Sequence, residues 1–278
     1  MLKSRLINRV NPLFIQGICH RGLHNEVDCE NSLKAFQNAL DVHMAIEFDV
    51  HLTKDGELVV FHDSKMERMT GSEGIIEHLT LKEIRENYRL LDGQKIPTFQ
   101  EVLNLVGEQV PMVVEMKVYE LNYKPLAKAV YRMLRKNIRD KSNVMLISFD
   151  PRALLPFNGK GYVRQLLIAD SASYMVVCRR FFQSIDVDQF LFKDFRVKNY
   201  AKHHFVNTWT IETPEQLEAV LPYADTITFQ HVDPNLVREK LTKKNAEHLE
   251  RFRRRQQMLD DFFEWQAKLS KKDNVHDN

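Results

Sequence analysis

Short apolar runs recur along the chain, separated by longer stretches in which apolar positions return at helical spacing. Eight runs read as strands, at residues 14–20, 45–52, 58–62, 111–118, 143–148, 162–168, 204–210 and 225–229. Helical spacing falls on residues 32–42, 81–88, 99–106, 124–136, 151–155, 190–200 and 214–221. Strands alternating with helices predict βαβ units and a parallel sheet. Repeated through one chain, these units build either a closed barrel or an open doubly wound sheet. No glycine-rich turn follows the first strand, so nothing supports a dinucleotide-binding fold. Residues 64–96, rich in charge and turn formers, read as an excursion before the next helix.

Side chains alternate between the two faces of a strand. In residues 45–52 this puts Ile46, Phe48, Val50 and Leu52 on one face and Glu47, Asp49 and His51 on the other. Two carboxylates two residues apart repel unless a cation lies between them. A hard divalent ion offers that compensation. A surface strand with its acids in water shows the same alternation, but this one follows a helix and precedes another apolar run. Residues 111–118 repeat the theme, with Val113, Glu115 and Lys117 sharing one face of a very apolar segment. An acid and a lysine there are costly to bury unless partnered; a plain Glu115–Lys117 ion pair is the simpler account. His20 and His62 each end a predicted strand, the end at which barrel enzymes place their sites. With 11 histidines in the chain, position and company single these two out.

The 278 residues are 44% hydrophobic, enough for a large core. About 150 residues per domain suggests two domains, yet barrels of this length form one. With 40 basic and 38 acidic residues the net charge is +2, which gives no pull toward nucleic acid. Three cysteines, Cys19, Cys29 and Cys178, are too few for a disulfide framework and fit a reducing, cytoplasmic setting. Cys19 beside His20 invites a reading as nucleophile, but alternation turns it to the opposite side. No stretch approaches the ~20 apolar residues of a membrane helix. Asn8, Arg9 and Asn11 interrupt the basic-apolar lead, which leaves it weak peripheral membrane contact at most. In the tail, Leu249, Phe252, Leu259, Phe263 and Trp265 follow a helical stripe beside the basic run Arg251, Arg253, Arg254 and Arg255. The expectation is a final helix on the barrel, with a homo-oligomer or partner surface as the alternative. Residues 1–239 are expected to form the barrel and 240–278 a charged helical extension.

A set of short motifs stands in a telling order. It runs His20-Arg21-Gly22, Glu30-Asn31-Ser32, Ile46-Glu47-Phe48-Asp49-Val50, Thr53-Lys54-Asp55-Gly56, Val59-Val60-Phe61-His62-Asp63, Arg68-Met69-Thr70 and Ile96-Pro97-Thr98. Glu115-Met116-Lys117, Ile147-Ser148-Phe149 and Trp209-Thr210-Ile211 follow. Together these resemble the glycerophosphodiester phosphodiesterase family, over about residues 18–229. The resemblance implies a TIM (β/α)8 barrel, in which residues 64–96 would be a small insertion after the second strand. It implies a divalent cation, Mg or Ca, and hydrolysis of a small glycerophosphodiester to glycerol 3-phosphate and an alcohol. On the matching positions, Glu47, Asp49 and Glu115 become metal ligands and His20 and His62 the acid–base pair. Arg21 and Lys117 would contact the phosphate, and Trp209 would line the substrate pocket.

Histidine suits acid–base work because its unperturbed pKa is about 6.5. Arginine offers a fork of donors to a phosphate and lysine a point charge. Direct attack by water and attack by the substrate's own hydroxyl, through a cyclic phosphate, both remain open. Asn31 or Ser32 can cap the next helix. Gly22 suits a close backbone approach, and Gly56 a turn. Cys29, Glu212 and Thr228-Phe229-Gln230 depart from the family's usual residues. The last two lie in the half of a barrel that shapes the pocket and put the alcohol group in question. Two other functions compete. One is a phospholipase D-type barrel acting on lysophospholipids, which needs an apolar channel. The other is a non-catalytic phosphodiester-binding barrel.

Overall fold

The computed structural model describes residues 6–7, 9–247, 249–250, 253–254, 257–258 and 261–262. Nine strands form one sheet there: β1 (Ile18–Cys19), β2 (Ala45–Leu52), β3 (Leu58–Val60), β4 (Met112–Met116), β5 (Val144–Ser148), β6 (Val163–Ile168), β7 (Ser184–Asp188), β8 (Val206–Ile211) and β9 (Thr226–Phe229). Eight are parallel. Ile18 pairs with Thr228 of β9 on one side and with Ala45 of β2 on the other, which closes a TIM barrel. β3 lies outside the ring, antiparallel to β2.

The alternation predicted for β2 is the division between two cores. Ile46, Phe48 and Val50 face the helices. Phe48 packs between Phe36 of the helix Leu33–Asp41 and Phe99 of the helix Phe99–Val106, each ring centroid 5.6 Å away. The barrel interior is filled by Ile18, Ala45, Val113, Met145, Ile147 and Leu167. Leu6, Ile7, Val10 and Phe14 of the N-terminal lead join that cluster. These four apolar side chains of the lead are therefore buried in the chain itself rather than turned to an outside surface.

Several expectations shift. Residues 14–16 are not strand: Pro12–Gln16 is a 3-10 helix, capped by the Asn11 side chain at Leu13 N and ended by Gly17 at φ 115°. Residues 190–200 split into a 3-10 helix, Gln189–Lys193, and a helix, Phe195–Ala201. β7 has no counterpart among the predicted strands. The excursion at 64–96 carries the helices Glu67–Thr70 and Leu81–Asn87, with its own small core of Met66, Met69, Ile76 and Ile84. The helix Pro234–Lys244, capped by Asp233, runs through residues 239 and 240. Of the tail's apolar stripe, Leu249 is buried against the barrel interior. Phe252, Leu259, Phe263, Trp265, Arg251 and Arg255 lie outside the described residues.

Candidate active site

The carboxylates come from neighbouring strands in register. Asp49 of β2 pairs with Glu115 of β4, and Glu47 sits one interior position below. Ligand-type oxygens of Glu47, Asp49 and Glu115 all lie within 4.8 Å of one another, and all three residues are buried. Lys117 Nζ stands 2.9 Å from Glu115 Oε1 and 3.3 Å from Asp49 Oδ1. Arg21 Nε is 3.6 Å from Asp49 Oδ2, and the Arg21 backbone N–H donates to Glu47 Oε2 at 3.0 Å. Three carboxylates therefore face two cations, an imbalance that burial makes expensive. Burial, then repulsion from Asp49 and Glu115, pushes the Glu47 carboxyl well above the usual range. Burial raises Glu115 too, against the pull of Lys117. Asp49 goes the other way: Lys117, His62 and Arg21 overcome burial and hold it below the usual carboxylate range. An all-oxygen, negatively charged set of this kind fits a hard divalent cation.

The Glu115–Lys117 ion pair, the competing account of these two residues, is present, and it belongs to this cluster. Arg21 is likewise engaged, its Nη1 2.8 Å from Glu30 Oε1. Asn31 and Ser32 are the two cap candidates for the helix Leu33–Asp41. Ser32 does the capping, accepting from Ala35 N at 3.0 Å. Asn31 instead donates to Asp49 Oδ2 at 2.9 Å. Gly22, at φ 82°, touches the next helix so closely that a Cβ would lie 2.8 Å from the Ala35 backbone carbon. That approach sets His20 and Arg21 over the acids.

His20 follows the C-terminal end of β1, as expected. His62 arrives differently. Its strand, β3, runs antiparallel to β2, with Val60 opposite Val50. The hairpin thus returns the chain to the level of Asp49, where Phe61 N donates to Asp49 O at 3.1 Å. Each ring is tethered through Nδ1. His20 Nδ1 meets Gln230 Oε1 at 2.7 Å, and Gln230 Nε2 donates to Glu212 Oε1 at 2.5 Å. The amide oxygen thus accepts, so Nδ1 of His20 donates and Nε2 is left with its lone pair. His62 Nδ1 meets Asp63 Oδ1 at 2.7 Å, with the same consequence. Burial, then Arg21, brings the His20 pKa down to about 3. Burial lowers His62 as well, opposed by Asp49.

Gln230 and Glu212 are two of the departures that put the alcohol group in question more than the reaction. Gln230 contacts His20, and Glu212 holds Gln230. The signal was present in the sequence only as difference, because the contact spans 210 residues.

Two cavities meet at this cluster. A cleft of about 930 Å³ is lined by His62, Glu115 and Lys117 and, on its apolar side, by Phe149, Pro151, Leu167, Tyr174 and Met175. A smaller cavity of about 100 Å³ is bordered by His20, His62, Glu47, Glu115, Asp186 and Trp209. Trp209 also packs edge-on against Phe149, centroids 5.6 Å apart. Asp186, on β7, escaped the sequence reading. Its strand, Ser184-Ile185-Asp186-Val187-Asp188, alternates polar and apolar as β2 does. Cys19 faces the helices, is fully buried, and burial pushes its thiol up to about 12; it is no nucleophile for this site.

The pattern that defines the glycerophosphoryl diester phosphodiesterase family matches residues 20–210. The chain belongs to that family. Among relatives, a glycerophosphodiester phosphodiesterase of Caldanaerobacter subterraneus subsp. tengcongensis is 34% identical over 149 residues, 49% of this chain and 59% of the relative. A lysophospholipase D of Mus musculus is 30% identical over 140 residues, 46% of this chain and 43% of that protein. The chain thus spans less than two thirds of the length of these relatives. A Thermotoga maritima glycerophosphodiester phosphodiesterase superposes with a TM-score of 0.63 at 27% identity, covering 76% of this chain and 93% of that one. An Oleispira antarctica phosphodiesterase, solved with its product sn-glycerol-3-phosphate, superposes at 0.67 with 20% identity, covering 83% and 96%. The second likeness speaks for the fold alone.

Proposed function

We propose that this family member hydrolyses glycerophosphodiesters to glycerol 3-phosphate and an alcohol, with a divalent cation on Glu47, Asp49 and Glu115 and with His20 and His62 as the acid–base pair. One observation carries the reading: three buried carboxylates within 4.8 Å lie beside two histidines, and all but Asp49 border one small cavity. When bound, the cation supplies Lewis-acid polarisation and offsets the acids' repulsion. Mg and Ca both suit the oxygen set. The chain's own groups do the rest. Arg21 and Lys117 present N–H donors to the phosphate from beside the acids. One histidine takes the proton of the attacking hydroxyl at its Nε2; the other, charged, returns a proton to the leaving alcohol. Trp209 and Phe149 form the apolar wall against which the substrate lies.

A second reading, action on lysophospholipids, draws on the apolar side of the larger cleft and on the mouse relative's name. The setting we infer is the reducing cytoplasm, in keeping with three free cysteines. None of the described residues beyond 239 borders either cavity, in keeping with residues 240–278 as an extension apart from the chemistry. The test is hydrolysis of glycerophosphocholine with Mg²⁺ or Ca²⁺, comparing wild type with His20→Ala and Glu47→Ala. Loss of turnover in both variants is expected; turnover surviving both changes sinks the assignment. Faster turnover of a lysolipid than of glycerophosphocholine favours the second reading.

A further inference from the structure

Asp186 borders the smaller cavity and is 1% exposed. Only one of its carboxyl oxygens is used. Oδ2 accepts from Asn207 Nδ2 at 2.9 Å, while Oδ1 is buried with no hydrogen-bond partner. Asn207 Nδ2 also donates to Thr228 Oγ1 at 3.0 Å, so the amide ties β7 to β9 through β8 and fixes the carboxyl's orientation. Two residues along β8 from Asn207, Trp209 faces the same side of the strand. Its Nε1 is likewise buried and unpartnered. Asp186 and Trp209 border the same 100 Å³ cavity, together with Glu47 and Glu115.

Buried polar atoms are nearly always paired, and each exception needs an account. Here an orphaned acceptor and an orphaned donor share one small space. A single hydroxyl answers both, since it donates once and accepts twice. Methyl or methylene groups answer neither.

We propose that Asp186 is a specificity-determining residue that recognises a substrate hydroxyl: one hydroxyl of the glycerol moiety donates to Asp186 Oδ1 and accepts from Trp209 Nε1. The inference deepens the proposed function, resting on the glycerol phosphate half of the substrate entering this cavity. Asn207 and Thr228 act through Asp186 as positioning residues. A site built to satisfy a hydroxyl rejects the analogue without one, because its own polar groups then stay unpaired.

The test reads binding rather than turnover, so it stands apart from the hydrolysis assay. The affinities of glycerol 3-phosphate and of n-propyl phosphate, which lacks both hydroxyls, are measured by calorimetry in Mg²⁺- or Ca²⁺-containing buffer. Wild type should prefer glycerol 3-phosphate by roughly tenfold or more. In Asp186→Ala the preference should fall several-fold, with n-propyl phosphate affinity little altered. Trp209→Phe, which keeps a ring and removes only the N–H, should lower the preference in part. Should Asp186→Ala fail to fold, Asp186→Asn and Trp209→Phe carry the same comparison. Equal loss of both ligands, an unchanged preference in the variants, or no preference in wild type overturns the proposal. Loss of hydrolysis with the preference intact would instead fault the assigned chemistry.

Discussion

His51 Nε2 lies 3.0 Å from the backbone carbonyl oxygen of His62, while its Nδ1 lies 2.5 Å from Glu77 Oε1. The ring thus bridges the Glu77 side chain and the His62 backbone. The two side chains are nearly fully buried. Through them the insertion after β3 grips the backbone of one proposed acid–base residue. His51→Ala should destabilise the fold by about 3–5 kcal/mol, because it leaves the buried Glu77 side chain with only the Ser64 hydroxyl as partner. Glu77→Gln should be milder in denaturant and should still lower kcat. Denaturant unfolding and steady-state kinetics check both; full kcat in Glu77→Gln would mean that the grip does not reach the chemistry.

Gln230 fixes the Nδ1 side of His20 and is itself fixed by Glu212. Gln230→Ala frees the ring to turn and to change tautomer. Removing a group that orients a functional imidazole typically costs about 10- to 100-fold. The loss should fall in kcat, with KM for glycerophosphocholine little changed. A loss confined to KM would place Gln230 in substrate binding instead.

Without a cation, Glu47 carries a raised pKa, from burial and from its neighbours Asp49 and Glu115. The native state then holds a proton that the unfolded chain releases first. Stability from this group is present at low pH and is lost as pH rises past the ordinary glutamate value. Asp49, held low, contributes the opposite slope, lost as pH falls through the acid range. From pH 6 to pH 8 the melting temperature of the chelated wild type should therefore fall further than that of chelated Glu47→Gln, a comparison that cancels the opposite slope of His20 and His62. Added Mg²⁺ or Ca²⁺ should raise the melting temperature most at the higher pH, since binding to the native state stabilises it. A cation response that is flat with pH counts against the carboxylate site.

Gly22 combines φ 82° with a contact that leaves no room for a Cβ. Gly22→Ala should cost about 1–3 kcal/mol for the backbone conformation alone. It should also push His20 and Arg21 away from the helix Leu33–Asp41. Thermal melting and activity on glycerophosphocholine should fall together. Gly56 has φ 84° but open space around it, so Gly56→Ala should lower stability without lowering kcat.

Where one face of a strand is polar and the other apolar, the sequence alone carried the answer. Residues 45–52 were legible to the residue, because Glu47 and Asp49 must point away from Phe48 in any sheet. The same logic placed Glu115 with Lys117. It was equally written in residues 184–188, though there the run is short and bounded by polar residues. Pro12 and Asn11 carried the capping chemistry of a helix start, yet the apolar run behind them resembled a strand.

Local pattern determined which side chains point together, and the order of motifs determined the family. Closure of the ring, which sets β1 beside β9, was decided only by the tertiary structure. So was the return of the β3 hairpin that lowers His62 to Asp49, and so were the contacts of Gln230 with His20 and of Asp186 with Asn207. The reason is physical. Alternation and capping act over two to four residues and are stated in the chain itself. A hydrogen bond between residues 20 and 230 exists only once eight strands have closed and brought the two ends of the barrel wall together.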